Sequence, residues 1–385
     1  MPSSARWRAA AVVVRVALPI ALTACGESKD EEPTPAPPRY DEPGAHPVGS
    51  RTFLLEDAAR SRTLRVELWY PAAPAASSAA ATGFDVAELA ATPDERAAYA
   101  TLLADAPGGC PTSRARAARE AALASGDSFP IIAFSHCMNC TRFSALTVAE
   151  RLASHGFVVA APDHAGNTLF DDLAGTSVDL DPDFLEIRAG DVEAVLDALL
   201  DPTSAAVPEA LRGRLDPARV GVFGHSFGAA TAGLVLSRDG RVAAGMAMAA
   251  PFSNPLLPGV DLAAISRPSA FLVAVEDNSI TEIGNGILRD NFERVAPPAW
   301  KLEVADAGHW SFSDLCAITP SFQPGCGEDA RQTDPTETFT YLPAGAGREV
   351  ASVLTTAFFA WTLRGDAAAK DELERERVGV AVAAR

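Results

Sequence analysis

Hydrophobic and polar positions follow two different rhythms along this chain. Residues 52–55 and 63–70 are β-branched and aromatic runs divided by the polar stretch 56–62, so they predict a hairpin that Pro71 ends. From residue 129 onward, short apolar runs alternate with stretches of helical spacing. The runs at 130–134, 157–161, 219–223, 242–249, 270–275 and 301–304 predict buried strands. Residues 141–155, 184–200, 227–237 and 283–294 predict the helices between them, and 348–363 a closing one. Within 184–200, Leu185, Val192, Val195, Leu196 and Leu199 fall at helical spacing. Strands alternating with helices imply an α/β fold, with a mostly parallel central sheet covered on both faces. In such sheets the chemistry gathers beyond the carboxyl ends of the strands.

Two regions break this rhythm. Residues 72–128 are Ala-rich, with helical patches expected at 85–105 and 114–125 around the breaker Ala106-Pro107-Gly108-Gly109-Cys110-Pro111. An insertion of that length is either functional or mobile, and is expected here as helical decoration, a lid or a buttress. The N-terminus is the second. Arg6 and Arg8 precede an apolar stretch at 9–24, interrupted by Arg15, which ends in Leu22-Thr23-Ala24-Cys25. That is the layout of a secretory signal, and its ending resembles a bacterial lipobox, which implies cleavage before Cys25 and lipidation of its thiol. Residues 26–47, rich in Pro, Glu and Asp, then read as a flexible tether. The expected organisation is a signal peptide at 1–24, a lipidated Cys25 with its tether at 25–50, a folded domain at 51–365 and a polar tail at 366–385.

Composition narrows the partners. The formal net charge is -18 over 385 residues, which argues against nucleic acid or an anionic membrane surface. With Cys25 assigned to lipid, Cys110, Cys137, Cys140, Cys316 and Cys326 remain for an oxidising compartment, where some should pair. Cys316 and Cys326 flank a short loop and are the first choice for a bridge; Cys110 could reach Cys137 or Cys140. Cys137 and Cys140 lack a second ligand pair at zinc spacing, so no metal is expected.

The chemistry centres on Gly224-His225-Ser226-Phe227-Gly228. A strand runs into it and small helical residues follow it, which is the context a nucleophile elbow needs. A serine hydroxyl requires a base, and His309 is the one histidine after Ser226 in the chain, just beyond a predicted strand. His136 and His164 follow earlier strands and belong to loops or the oxyanion region. For the acid that orients the base, Asp277 lies at a strand end, with Glu276 as its rival; Asp306 is too near His309, and Asp290 is mid-helix. Acyl transfer also needs two donors aimed at the oxyanion. The Phe227 amide should supply one, and the loop Ser135-His136-Cys137-Met138-Asn139-Cys140 the other, through Met138 or else Cys137.

These residues, with Ile131 to His136, Leu152 to His164 and Ala307 to Cys316, resemble the α/β-hydrolase superfamily. Within it they are similar to the platelet-activating factor acetylhydrolases and the related dienelactone-hydrolase-like and polyester-hydrolase-like esterases. The resemblance implies Ser226 as nucleophile, His309 as base, and oxyanion donors at Phe227 and Met138. Two departures stand out. The family has Gly where this chain has Cys137, and acetylhydrolases take their acid one strand earlier, where this chain reads Ala249-Ala250-Pro251-Phe252-Ser253-Asn254. Asp277 matches the dienelactone-hydrolase-like placement.

The expectation is therefore an exported, lipid-anchored serine esterase of the cell envelope, with a small-molecule or lipid ester as substrate and no cofactor. A peptidase or amidase of the same fold is the alternative, and so is a non-catalytic surface lipoprotein.

Overall fold

The computed structural model describes residues 39–126 and 128–385. The expected signal sequence and the expected lipidation site, Cys25, lie outside the described residues.

Ten strands form the main sheet: β1 (Val48–Asp57), β2 (Arg62–Pro71), β3 (Ala118–Arg119), β4 (Phe129–Ser135), β5 (Val158–Pro162), β6 (Leu215–His225), β7 (Val242–Met248), β8 (Ser269–Ala274), β9 (Ala299–Val304) and β10 (Val380–Ala384). Their spatial order is β10-β9-β8-β7-β6-β4-β5-β2-β1-β3. From β5 to β9 neighbouring strands are parallel, whereas the β1–β2 hairpin joins β5 antiparallel. Every residue of β4 and β5 is buried, as expected of strands covered on both faces. The chain leaves β4 for β5 on one side and returns as β6 on the other. The sheet order thus reverses at β4 and β6, and Ser135 lies opposite Gly224 in register. A crevice opens at such a switch point.

Two apolar cores lie on opposite faces. One packs α2 (Leu146–Ser154) and α6 (Ala344–Arg364) around Phe134, Phe143 and Phe358. The other packs α3 (Pro182–Leu200), α4 (Phe227–Arg238) and α5 (Thr281–Arg294) around Val192, Phe227 and Phe271. This is the α/β-hydrolase arrangement.

The structure departs from the sequence expectations in four places. The tether gives way to the fold before residue 50: Tyr40 is buried, His46 N–H donates to the Ser154 carbonyl at 3.0 Å, and β1 starts at Val48. The insertion is helical at α1 (Pro93–Asp105), which Thr92 and Glu95 close with a capping box. Residues 114–125, expected as a helix, instead contribute β3 and a two-residue strand (Arg114–Ala115) that pairs with Phe84–Asp85. Helix propensity, strong as it is for alanine, is a preference that tertiary pairing overrides, and here the edge of β1 takes the segment, with the Glu120 amide donating to the Ser50 carbonyl at 2.8 Å. The polar tail at 366–385 forms α7 (Ala367–Glu374) and then β10, which extends the sheet antiparallel to β9. Finally, the cysteines pair as Cys110–Cys326 and Cys137–Cys140, leaving Cys316 buried and without a partner among the described residues. The expected Cys316–Cys326 bridge rested on closeness in sequence, whereas the fold brings Cys326 to the insertion.

Candidate active site

β6 ends at His225 and α4 starts at Phe227, so the whole turn falls on Ser226, at φ 55° and ψ −121°. That left-handed backbone costs a non-glycine residue of order 1–3 kcal/mol, a strain that clusters at functional sites. The flanking glycines are needed for space. A Cβ on Gly224 would stand 1.9 Å from the Gly228 carbonyl oxygen, and one on Gly228 would stand 1.9 Å from the Ser135 oxygen. The second contact presses the start of α4 onto the end of β4, where the donor loop begins.

His309 follows β9 and is almost fully buried. Its Nδ1–H donates to Asp277 Oδ2 at 2.7 Å. The other oxygen, Oδ1, accepts the Ser279 and Ile280 amides at 2.9 and 3.0 Å, so the carboxylate is held from both sides. Glu276, the rival acid, faces elsewhere and accepts from Arg331, Gln332 and Thr333. Asp306 pairs with Arg331, and Asp290 pairs with Arg294. The structure therefore brings Asp277, and none of the other carboxylates weighed, to His309.

His225 links base and elbow. Its Nε2–H donates to the His309 carbonyl at 2.8 Å, and the two rings lie 5.0 Å apart. Burial, with His309 beside it, pushes its pKa down to about 3, so it is a neutral donor. Trp310 packs edge-on against both rings. The Ser226–His309 hydrogen bond itself is not formed in this conformation; such bonds commonly tighten only around substrate.

The donor loop is a turn in which the Cys140 amide reaches the Cys137 carbonyl at 3.3 Å and the disulfide joins the same residues, Cα to Cα 5.2 Å. Cys137 stays out of the left-handed region, so the glycine usual in the family is not required there. Asn139 takes the positive φ, at 54°. Among the described residues, the amides of Cys137, Met138 and Phe227 donate to no protein acceptor. Phe227 is thus free to serve with either Met138 or Cys137, the two loop donors that the sequence offers.

Sequence reading set His164 in a loop or the oxyanion region but missed the partners that hold it. Ser135 Oγ lies 3.0 Å from His164 Nε2, and His164 Nδ1 lies 3.0 Å from Asp191 Oδ2, a second Ser-His-Asp relay. All three residues are fully buried, and Ser135 Oγ also accepts from Arg188, so this serine is no nucleophile. Burial and the nearby Arg188 bring the His164 pKa down to about 4. Burial opposes the Asp191 carboxylate, but His164 and Arg62 outweigh it and hold its pKa at about 2. Arg188 and Asp191 were detectable in principle: both stand one turn apart in the apolar stripe of α3, where a charge is out of place.

Fold and site define the class first. The chain has the α/β-hydrolase fold and is similar to esterases that share it. Residues 37–171 match the model of platelet-activating factor acetylhydrolase, isoform II, and residues 129–305 that of the dienelactone hydrolase family. A probable 1-alkyl-2-acetylglycerophosphocholine esterase from Arthroderma benhamiae is 27% identical over 63% of this chain and 62% of its own. A platelet-activating factor acetylhydrolase from Cavia porcellus is 29% identical over 33% of this chain and 36% of its own. A cutinase from Thermobifida fusca is 33% identical over 44% of this chain and 51% of its own. The matches therefore span less than two thirds of these relatives. A ferulic acid esterase from Streptomyces cinnamoneus superposes with a TM-score of 0.63 at 24% identity, covering 87% of this chain and 96% of that one, which shows the shared fold.

Proposed function

We propose that this protein is an exported serine hydrolase of carboxylic esters that works through an acyl-enzyme. The observation carrying this reading is the buried His309–Asp277 hydrogen bond at 2.7 Å, beside an elbow whose serine alone adopts the strained turn. Ser226 Oγ attacks the ester carbonyl as His309 Nε2 takes its proton, and Asp277 favours the imidazolium that forms. The carbonyl electron pair moves to oxygen, facing the Phe227 and Met138 amides. Collapse expels the alcohol, which takes the proton from His309. Water then repeats the cycle on the acyl-enzyme and releases the acid.

The acetylhydrolase and cutinase likenesses support an ester over an amide substrate, drawn from small molecules or lipids. The lipobox-like Cys25 supports export and a lipid anchor in the cell envelope. Ser226→Ala should abolish turnover of short-chain p-nitrophenyl esters and labelling by a fluorophosphonate. Wild-type turnover in that variant would overturn the mechanism, and faster cleavage of matched anilides than esters would overturn the substrate class.

A further inference from the structure

Arg188 is an expensive residue. It sits in the middle of α3, wholly buried, on the face that packs against β4 and α4. Its guanidinium makes four hydrogen bonds, all to neutral acceptors: Nε to Thr231 Oγ1 at 3.2 Å, Nη1 to Asn167 Oδ1 at 2.6 Å, Nη2 to Ser135 Oγ at 3.3 Å, and Nη2 to the His136 carbonyl. Its Cζ lies 4.5 Å over the Phe227 ring. The nearby carboxylate, Asp191, is engaged by Arg60, Arg62 and His164 instead. An arginine buried without a carboxylate of its own is disfavoured by desolvation, so it is retained only where the charge or its geometry is used. Burial lowers its pKa to about 9, and it remains a cation at neutral pH.

The contacts show what the geometry is used for. Phe227 supplies one free amide, and Thr231 lies one turn along the same helix. Ser135 and His136 lead into the loop that carries the other free amides, at Cys137 and Met138. Arg188 therefore touches both halves of the candidate oxyanion hole and nothing of the triad. Gly228 brings the same two halves into backbone contact at the Ser135 oxygen, with space for no Cβ. His164 adds a second tie, since its amide donates to His136 Nε2 at 3.0 Å while His136 Nδ1–H donates to the Cys137 carbonyl at 2.7 Å.

We propose that Arg188 is a positioning residue for the oxyanion hole: it locks the donor loop to the elbow helix, and its unpaired charge favours the negative oxygen formed there. This rests on the acyl-enzyme reading above. A clamp of this kind acts in the transition state more than on bound ester, so it should enter kcat and leave KM nearly unmoved.

The test compares Arg188→Met and Arg188→Lys with wild type, reading kcat and KM for p-nitrophenyl acetate and the Ki of a boronic acid that mimics the tetrahedral adduct. Removing one oxyanion donor outright costs about 10²–10³ in rate. A misplaced but present donor should cost less, so Arg188→Met should lose about 30-fold in kcat and Arg188→Lys about 10-fold. KM should change less than about threefold, and the Ki should rise in step with the fall in kcat. If Arg188→Met does not fold, Thr231→Val, which frees the Nε tie and keeps the charge, should show a smaller loss with the same split. Folded variants with wild-type kcat, or losses confined to melting temperature or KM, would overturn the proposal. Ser226→Ala, assayed alongside, separates the failures: if it stays active, the acyl-enzyme reading falls; if it is dead while Arg188→Met is unimpaired, only the clamp falls.

Discussion

Asp277→Asn tests the assignment of the acid with almost no change of shape. In the native site, Oδ1 takes two backbone amides and Oδ2 takes His309 Nδ1–H. An asparagine in that place cannot satisfy all three donors. With its NH2 toward His309, the imidazole must accept at Nδ1 and carry its proton on Nε2, so it cannot take the proton of Ser226. With the NH2 turned the other way, it meets the Ser279 and Ile280 amides head on. Loss of charge adds to the wrong tautomer. At an effective dielectric of about 20, a carboxylate some 4 Å from an imidazolium is worth about 4 kcal/mol, roughly 10³ in rate. Together with the tautomer, the fall in kcat should reach about 10³–10⁴, the range that replacement of a triad acid by its amide gives elsewhere. Turnover of p-nitrophenyl acetate with active-site titration reads this directly. Glu276→Gln is the control: its partners are Arg331, Gln332 and Thr333, so it should lower melting temperature and leave the kcat of folded protein within about threefold. An Asp277→Asn enzyme within tenfold of wild type, or a folded Glu276→Gln enzyme as dead as Asp277→Asn, would refute the assignment.

The two disulfides should separate stability from catalysis. Cys110–Cys326 closes a sequence separation of 216, worth about 5 kcal/mol in the chain-entropy account, so Cys110→Ser with Cys326→Ser should drop the melting temperature by roughly 10 °C. Cys137–Cys140 closes a separation of 3, worth only about 2 kcal/mol, yet it rings the Met138 amide, so its double serine variant should lose about tenfold in kcat for a small change in melting. Calorimetry and ester kinetics on both variants decide this, and the reverse pattern would defeat it. Glu150 gives a pH signature. Burial raises its carboxyl from 4.5 to about 8, even with the Arg116 amide donating to it. The folded chain thus holds a proton that the unfolded chain loses between about pH 4.5 and 8, so stability falls as pH rises through that window. Glu150→Gln should remove about 1–2 kcal/mol of that fall, given the partial exposure of the side chain. Melting curves of the two proteins that stay parallel from pH 5 to pH 9 would contradict it.

What could be read in the chain depended on how far each signal reaches. Ser226, Asp277 and His309 each stand within a few residues of the end of an apolar strand. A parallel sheet carries such positions to one edge whatever lies between them, so strand ends and their order were enough to bring the three into one proposal. The disulfides and the last strand obey no such rule. Cys326 meets Cys110 because the segment after His309 folds against the insertion, where the Thr112 amide donates to the Asp314 carbonyl at 2.9 Å. Residues 380–384 pair with β9 because that edge had unmatched amides, and a five-residue run of Val and Ala is too short to announce itself.

Arg188 marks the boundary between these two kinds of information. The helical spacing that identified Leu185, Val192, Val195, Leu196 and Leu199 as an inner face also puts position 188 on that face. A charged residue in a stripe of this kind usually reads as an error in the period, and the surrounding apolar residues conceal it. Its meaning depends on the loop at Ser135 and His136, which arrives from far away in sequence. The general consequence is that a nucleophile elbow advertises the reacting atoms, while the parts that aim the oxyanion donors appear as polar residues violating an otherwise clean apolar face. Asp191 fits the same description on α3, and it is joined through His164 to Ser135 at the end of β4, all three buried. Charged residues that interrupt the apolar stripe of the helix following β5 should therefore mark the donor-loop supports in other chains of this fold.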